Sequence, residues 1–73
     1  MSLTKQQLSR AAVCISRQQR DMITIRLENQ FGDYVDSVTA GANYFLENGN
    51  LNKGSEEFFS NQYAHRIVIK VEL

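Results

Sequence analysis

The segment MITIRLEN, residues 22–29, decides the fold prediction because its apolar side chains occupy every second position. Those positions are Ile23, Ile25 and Leu27. A period of two with β-branched residues is typical of a strand that buries one face. The end of the chain repeats this pattern, so we predict a strand over residues 65–73, which could form an edge of the sheet.

Residues 5–17 allow two interpretations, helix or strand. A capping-box pattern and helical spacing favour a helix; the residues that carry them are Thr4, Gln7, Leu8, Ala11, Ala12 and Ile15. A strand is favoured instead by the alternation of Ala11, Val13 and Ile15. The polar break RQQRD at 17–21 would then fold this strand against 22–27 as a hairpin. We adopt the hairpin, preceded by a short helix over 4–10, and leave a continuous helix open.

The middle of the chain predicts a long helix followed by a loop. Residues 32–50 contain an apolar stripe at helical spacing, formed by Val35, Val38, Ala42 and Phe45. Asp33 suits the positive end of the helix dipole, and Gly49 suits the position after the last helical residue. The polar residues 48–55 predict a loop, and Ser55 followed by two glutamates predicts a short helix over 56–63.

These elements predict an α+β fold. It is a small two-layer sandwich in which a β-hairpin is followed by an amphipathic helix, a short helix and a C-terminal strand, with a three-stranded, mainly antiparallel sheet. The chain has 73 residues, which corresponds to a single domain. We assign the domain to residues 4–73 and set aside residues 1–3 as a possible cloning leader.

The small size of the chain predicts a partner. A domain of this length buries only about 60% of the surface that its unfolded chain exposes. Cys14 is the single cysteine, so a disulfide within the chain is excluded, and with His65 it gives too few ligands for structural zinc. Oligomerisation is the remaining way to stabilise so small a core. We therefore expect a homodimer or a complex with a protein partner.

The N-terminal sequence and the lone thiol predict a cytoplasmic protein. The first seven residues, MSLTKQQ, become polar too soon for a signal-peptide core, and a single free cysteine suits a reducing compartment. No apolar run approaches the ~20 residues that cross a bilayer, so we expect no membrane association. The size is typical of prokaryotic or phage accessory proteins.

The net charge of zero is unevenly distributed. Residues 1–26 hold five cations and one acid, whereas residues 27–73 hold three cations and seven acids, giving +4 and −4. The two halves either neutralise each other across the folded surface or take part in binding, which includes head-to-tail self-association.

The sequence contains no pattern that predicts a catalytic, metal, cofactor or small-molecule site. His65 falls at the start of a predicted strand, and Cys14 faces away from the core beside Thr24 in the hairpin register. Residues 49–55 lack the Lys-Ser/Thr pair of a phosphate-binding loop. We therefore predict a non-enzymatic accessory or regulatory protein that acts through protein–protein contact.

Three aromatic residues form the candidate interaction surface. Phe58 and Phe59 are adjacent, and a small monomer cannot easily bury both. We expect one of them, together with Tyr63, to lie at an association surface, because aromatic side chains are enriched in protein interfaces.

A nucleic-acid-binding module is the alternative. The segment ITIRLENQFGDYVDSVTAGANYF, within residues 22–47, resembles a ribbon-helix-helix repressor. The resemblance implies that paired strands of a dimer enter the major groove and that Thr24 and Arg26 read base edges. Separately, the hairpin predicts a basic finger for phosphate contacts, formed by Arg10, Arg17, Arg20 and Arg26.

Overall fold

The computed structural model describes residues 3–18 and 21–72. In these ranges the helices are α1 (Lys5–Ser16), α2 (Ala42–Phe45) and α3 (Lys53–Phe59). The strands are β1 (Met22–Glu28), β2 (Tyr34–Gly41), β3 (Leu46–Glu47), β4 (Asn50–Leu51) and β5 (Arg66–Glu72).

β1 is the middle strand of a three-stranded antiparallel sheet with the order β2-β1-β5, and β3 pairs with β4 separately. The predicted α+β class, the three-stranded antiparallel sheet and the strands at both sequence-predicted positions are confirmed. Ile23, Ile25 and Leu27 on one face of β1 are 0% exposed. They form the core with α1, α2 and α3, as the alternation in MITIRLEN predicts.

α1 replaces the first strand of the predicted hairpin, so the pairing of residues 11–16 with 22–27 was wrong. Thr4 and Gln7 form the capping box: the Gln7 N–H donates to Thr4 Oγ1, and the Thr4 N–H donates to Gln7 Oε1 across 2.8 Å. The run that follows is rich in strong helix formers. Ala11 and Ile15, one turn apart, face the core, whereas Val13 is 49% exposed.

β2 replaces the first half of the predicted long helix, and a β-bulge explains the error. The register shifts between Leu27, which lies opposite Asp36, and Glu28, which lies opposite Tyr34, so that Val35 is an extra residue. Because of the bulge, the core-facing residues Val35 and Val38 are three positions apart instead of two. A spacing of three resembles that of a helix. A helix does form immediately afterwards, but α2 is a single turn.

Two turns place these strands. In the turn after β1, Gly32 has φ +83°, and Asn29 Oδ1 accepts hydrogen bonds from the N–H groups of Phe31 and Asp33. Asn48 and Gly49 form the two-residue turn between β3 and β4, both with positive φ. This Asn-Gly turn is typical of a tight hairpin. The prediction that Gly49 ends a helix is therefore wrong, because Gly49 belongs to this turn.

α3 starts three residues earlier than predicted. Asn52, not Ser55, is the N-cap, and its Oδ1 accepts the Ser55 N–H across 2.9 Å. Ser55 is buried instead, and its hydroxyl donates to the Phe45 carbonyl oxygen. α3 ends at Phe59, so the predicted helical residues beyond it form a turn. Leu3, which we had set aside with the leader, is buried in the core.

Candidate functional site

The two faces of the sheet differ. Ile25 of β1 lies between Val38 of β2 and Ile69 of β5, and this row faces the helices. The alternate positions lie on the opposite face, which is polar and partly exposed, and include Thr24, Arg26, Ser37, Thr39, Val68 and Lys70. We call this second face the open face.

Arg26 on the open face is held by neighbours within the chain. Its Nε lies 2.9 Å from Glu28 Oε2, and its guanidinium lies 5.2 Å from the centre of the Tyr34 ring. Glu28 also lies 3.7 Å from Arg66 Nη1. The open face at this end of the sheet therefore carries a mixed-charge network rather than a row of free cations.

The arrangement implied by the ribbon-helix-helix resemblance is wrong for this chain. In that arrangement β1 would pair with its copy in a dimer, but here β1 is already paired on both sides. A second strand, not a helix, follows it. Thr24 lies on the open face and its hydroxyl hydrogen-bonds the Thr39 hydroxyl across 2.9 Å, within the sheet.

The predicted basic finger does not form, because its hairpin is absent. Arg10 lies on α1 and Arg17 is the C-cap of this helix, and both are exposed. Arg26 lies on the opposite side of the sheet from α1, and Arg20 lies outside the described residues. The structure thus separates Arg26 from Arg10 and Arg17.

The aromatic candidates occupy three different environments. Phe59 is 1% exposed and belongs to the core, with its ring edge-on to Phe58 at 5.3 Å. Phe58 is half-buried against the core, and Tyr63 is 65% exposed in the turn before β5. Of the two adjacent phenylalanines, only Phe58 can contribute to a surface together with Tyr63.

Cys14 and His65 lie on different elements, in α1 and immediately before β5. Cys14 lies on α1, on the other side of the sheet from Thr24, so the predicted neighbourhood was wrong. The backbone of His65 is bound twice: its N–H donates to the Glu28 carbonyl and its carbonyl accepts from Gln7 Nε2. Within residues 3–18 and 21–72, no group of three metal-ligating side chains gathers, and no helix is long and apolar enough to cross a membrane.

The two edge strands are protected to different degrees. β2 carries a bulge, and Asp36 lies opposite the core residue Leu27, which places a charge at that edge. Both features discourage the addition of another strand. β5 continues in register across all seven residues, and its core-facing residues are apolar. They are Ile67, Ile69 and Val71, and all three are only half-buried.

A groove runs between α1 and this unprotected edge. It has a volume of about 310 Å³ and an apolar floor, formed by Ala11, Cys14, Ile67 and Ile69. Gln7, Arg10 and Arg66 line its rim. α1 lies against β5, yet the apolar side of this strand remains only half-buried. We call β5 and this groove together the β5 edge.

The sequence pattern predicts β5 as a strand and as an edge of the sheet, but it does not predict the groove. The groove depends on the position of α1 over the sheet. The sequence-based interpretation places residues 11–16 in the sheet itself, and therefore leaves no helix there to form a groove. The alternation of apolar residues does not distinguish β1 from β5. It is the structure that shows β1 paired on both sides and β5 at the end of the strand order.

Comparison with known proteins gives no further guide: no family model, curated protein or solved structure matches this chain.

Proposed function

We propose that this is a non-enzymatic accessory protein of the reducing cytoplasm, which binds another protein chain along the β5 edge. The observation that carries the proposal is the half-exposed apolar row Ile67, Ile69 and Val71 on β5, which has no bulge and pairs, among the described residues, with β1 alone. An added strand would gain main-chain hydrogen bonds from β5, and its side chains would fill the groove under α1. This is recognition by strand addition.

The charge distribution favours a protein over a nucleic acid as the partner. Arg66 and Lys70 on the open face of β5 are accompanied by Glu72, and Arg66 already lies 3.7 Å from Glu28. The cations on α1 lie on the other side of the sheet. Nucleic-acid modules usually concentrate their basic residues on one face.

Site-specific photo-crosslinking tests the proposal. The photoreactive amino acid benzoylphenylalanine is placed at position 70 on β5 or, as the matched control, at position 39 on β2. The two positions are equivalent, because Lys70 and Thr39 both lie opposite Thr24 and share the open face. The full chain is expressed in cells and irradiated, and the products are identified by mass.

The proposal predicts crosslinks from position 70 and few from position 39. They should be lost when Ile69→Lys places a charge in the groove, and kept with Val38→Lys, the equivalent change on the other side of Ile25. Circular dichroism checks that both variants fold; if Ile69→Lys does not, Ile69→Thr replaces it. Equal crosslinking from the two edges, or none from position 70, would overturn the proposal.

A further inference from the structure

We infer that the chain bound by β5 is the β5 strand of a second copy, running antiparallel with Ile69 on the two-fold axis. This inference rests on the proposed function and names the partner of the same site. The resulting sheet would have six strands in the order β2-β1-β5-β5-β1-β2, with both copies of α1 on one face.

The sequence of β5, RIVIKVE, is complementary to itself in this register. Arg66 lies opposite Glu72 of the second copy, and the two-fold axis repeats this pair of opposite charges. Ile67 lies opposite the second Val71, and the two Ile69 residues face each other. Val68 lies opposite the second Lys70, which brings no like charges together. Cross-strand pairs of opposite charge and of β-branched residues stabilise antiparallel sheets.

Neighbouring registers lack this complementarity. A shift of two residues one way places Arg66 opposite Lys70 of the second copy, and a shift the other way places the two Lys70 residues opposite each other. Like charges directly opposite each other destabilise a sheet. A shift by one residue sets core-facing positions against open-face positions, and so turns one copy's apolar side outward. Among these registers, only the one centred on Ile69 matches both charge and burial.

The groove provides a second, independent reason. α1 runs beside β5, because Gln7 bonds the carbonyl of His65 at the start of the strand and Cys14 lines the groove with Ile69. From Gln7 to Cys14 the helix advances about 10 Å. From His65 to Ile69 the strand advances about 13 Å. Cys14 therefore lies beside the proposed axis, and pairing of the β5 strands brings the two apolar grooves together to bury both floors.

Charge reversal tests the register. Wild-type protein at micromolar concentration should have twice the 8.4 kDa mass of the chain by light scattering. Glu72→Arg, which faces Arg66 of the second copy, should weaken the dimer roughly tenfold or more because two contacts change sign. Adding Arg66→Glu to it should restore association above that of either single variant. Glu57→Arg, at an exposed position of α3, makes the same charge change away from the β5 edge and should leave the dimer intact.

The single native cysteine gives a direct measure of geometry. A short bismaleimide should join two copies of Cys14 in the wild-type dimer and fail to do so with Ile69→Lys. Glu57→Arg again serves as the folded control, and it should crosslink as the wild type does.

The outcomes separate this inference from the proposed function. A monomer at all concentrations, with position 70 crosslinking to a different protein, overturns the inference and leaves the proposed function standing. So does a dimer that loses association with Ile69→Lys but is insensitive to Glu72→Arg and shows no Cys14 crosslink. A dimer that is unaffected by Ile69→Lys, with no crosslinks from position 70, overturns both.

Discussion

The side chain of Gln7 joins α1 to the start of β5: its Nε2 donates to the carbonyl oxygen of His65 across 3.0 Å, a contact that spans 58 residues of sequence. The same side chain accepts the Thr4 N–H in the capping box. Gln7 therefore takes part in the capping box of α1 and also holds this end of the helix against the start of β5. This position sets the width of the groove beside β5.

The first prediction concerns the bonds that Thr4 and Gln7 make at the start of α1. Thr4→Ala removes the oxygen that accepts the Gln7 N–H but keeps the bond to His65, and should lower the free energy of unfolding by about 1 kcal/mol. Gln7→Ala keeps its N–H on Thr4 Oγ1 but loses both side-chain bonds, to the Thr4 N–H and to the His65 carbonyl, and should lower it by about 2 kcal/mol. Urea unfolding followed by circular dichroism measures the difference. A loss for Gln7→Ala that does not exceed the loss for Thr4→Ala would contradict the stabilising role assigned to the two side-chain bonds of Gln7.

The second prediction concerns Ile25, at the centre of the core. It is fully buried between Val38 and Ile69. Ile25→Val should lower the free energy of unfolding by about 1 kcal/mol. Ile25→Ala should lower it by about 2–5 kcal/mol, because the surrounding side chains relax only partly into the cavity that it leaves. The whole domain is expected to have only about 4–11 kcal/mol of stability, so Ile25→Ala will leave a measurable unfolded fraction. Thermal unfolding measures both losses, and a cost below 1 kcal/mol for Ile25→Ala would contradict the buried position.

The third prediction compares two glycines that differ in backbone conformation. A Cβ added at Gly32 or at Gly41 would have no heavy atom within 4 Å beyond its immediate chain neighbours, so neither change creates a clash. Gly32 has φ +83°, which an L residue adopts at a cost, whereas Gly41 has φ −78°. Gly32→Ala should therefore destabilise the protein by about 1 kcal/mol. Gly41→Ala should stabilise it by up to about 1 kcal/mol, by restricting the unfolded chain.

Chemical denaturation of the two variants and the wild type gives both signs in one experiment. Gly32→Asn is a useful third variant, since asparagine tolerates positive φ and should recover part of the loss. If both alanine variants change stability in the same direction, backbone conformation does not control the turn.

The fourth prediction concerns the start of α3. Asn52 caps the helix through Oδ1 and donates from Nδ2 to the Tyr44 carbonyl, whereas Ser55 donates one bond to the Phe45 carbonyl. That carbonyl also accepts the Asn52 N–H, so Ser55→Ala leaves it satisfied. We expect losses in unfolding free energy of about 2 kcal/mol for Asn52→Ala and about 1 kcal/mol for Ser55→Ala.

Asn52→Asp provides the matched control for this pair. It keeps the capping oxygen but loses the donor to Tyr44, so its stability should lie between those of the wild type and Asn52→Ala. Calorimetric unfolding ranks the three variants, and a larger loss for Ser55→Ala than for Asn52→Ala would reverse the assignment of the cap.

The extent to which the sequence predicts this fold depends on how regular each element is. β1 and β5 are uninterrupted, so their alternation is visible without any structure. β2 is not predictable in this way, because the bulge at Val35 alters the spacing of its core-facing residues. The Asn48-Gly49 turn was the strongest hairpin signal in the chain, and it was outweighed by the apparent helical stripe before it.

Residues 11–16 show a different limit. Ala11, Val13 and Ile15 fit a strand by alternation, and Ala11 and Ile15 fit a helix by their spacing of four. Only the cap at Thr4 and the composition of α1 distinguish the two. The sequence therefore leaves the β5 edge undecided as well, because its groove forms only when residues 11–16 are helical. Tertiary packing of α1 decides the site, and no local pattern encodes it.

The last prediction links the β5 edge to stability. If two copies of β5 pair, the folded state is favoured by mass action and the unfolding midpoint rises with protein concentration. We expect the thermal midpoint of the wild type to increase from micromolar to hundreds of micromolar, and that of Ile69→Lys to stay constant. Val38→Lys changes the equivalent position on the other side of Ile25 and should keep the concentration dependence, although its midpoint will be lower. A wild-type midpoint that does not change with concentration would mean that the β5 edge is unpaired in the isolated protein.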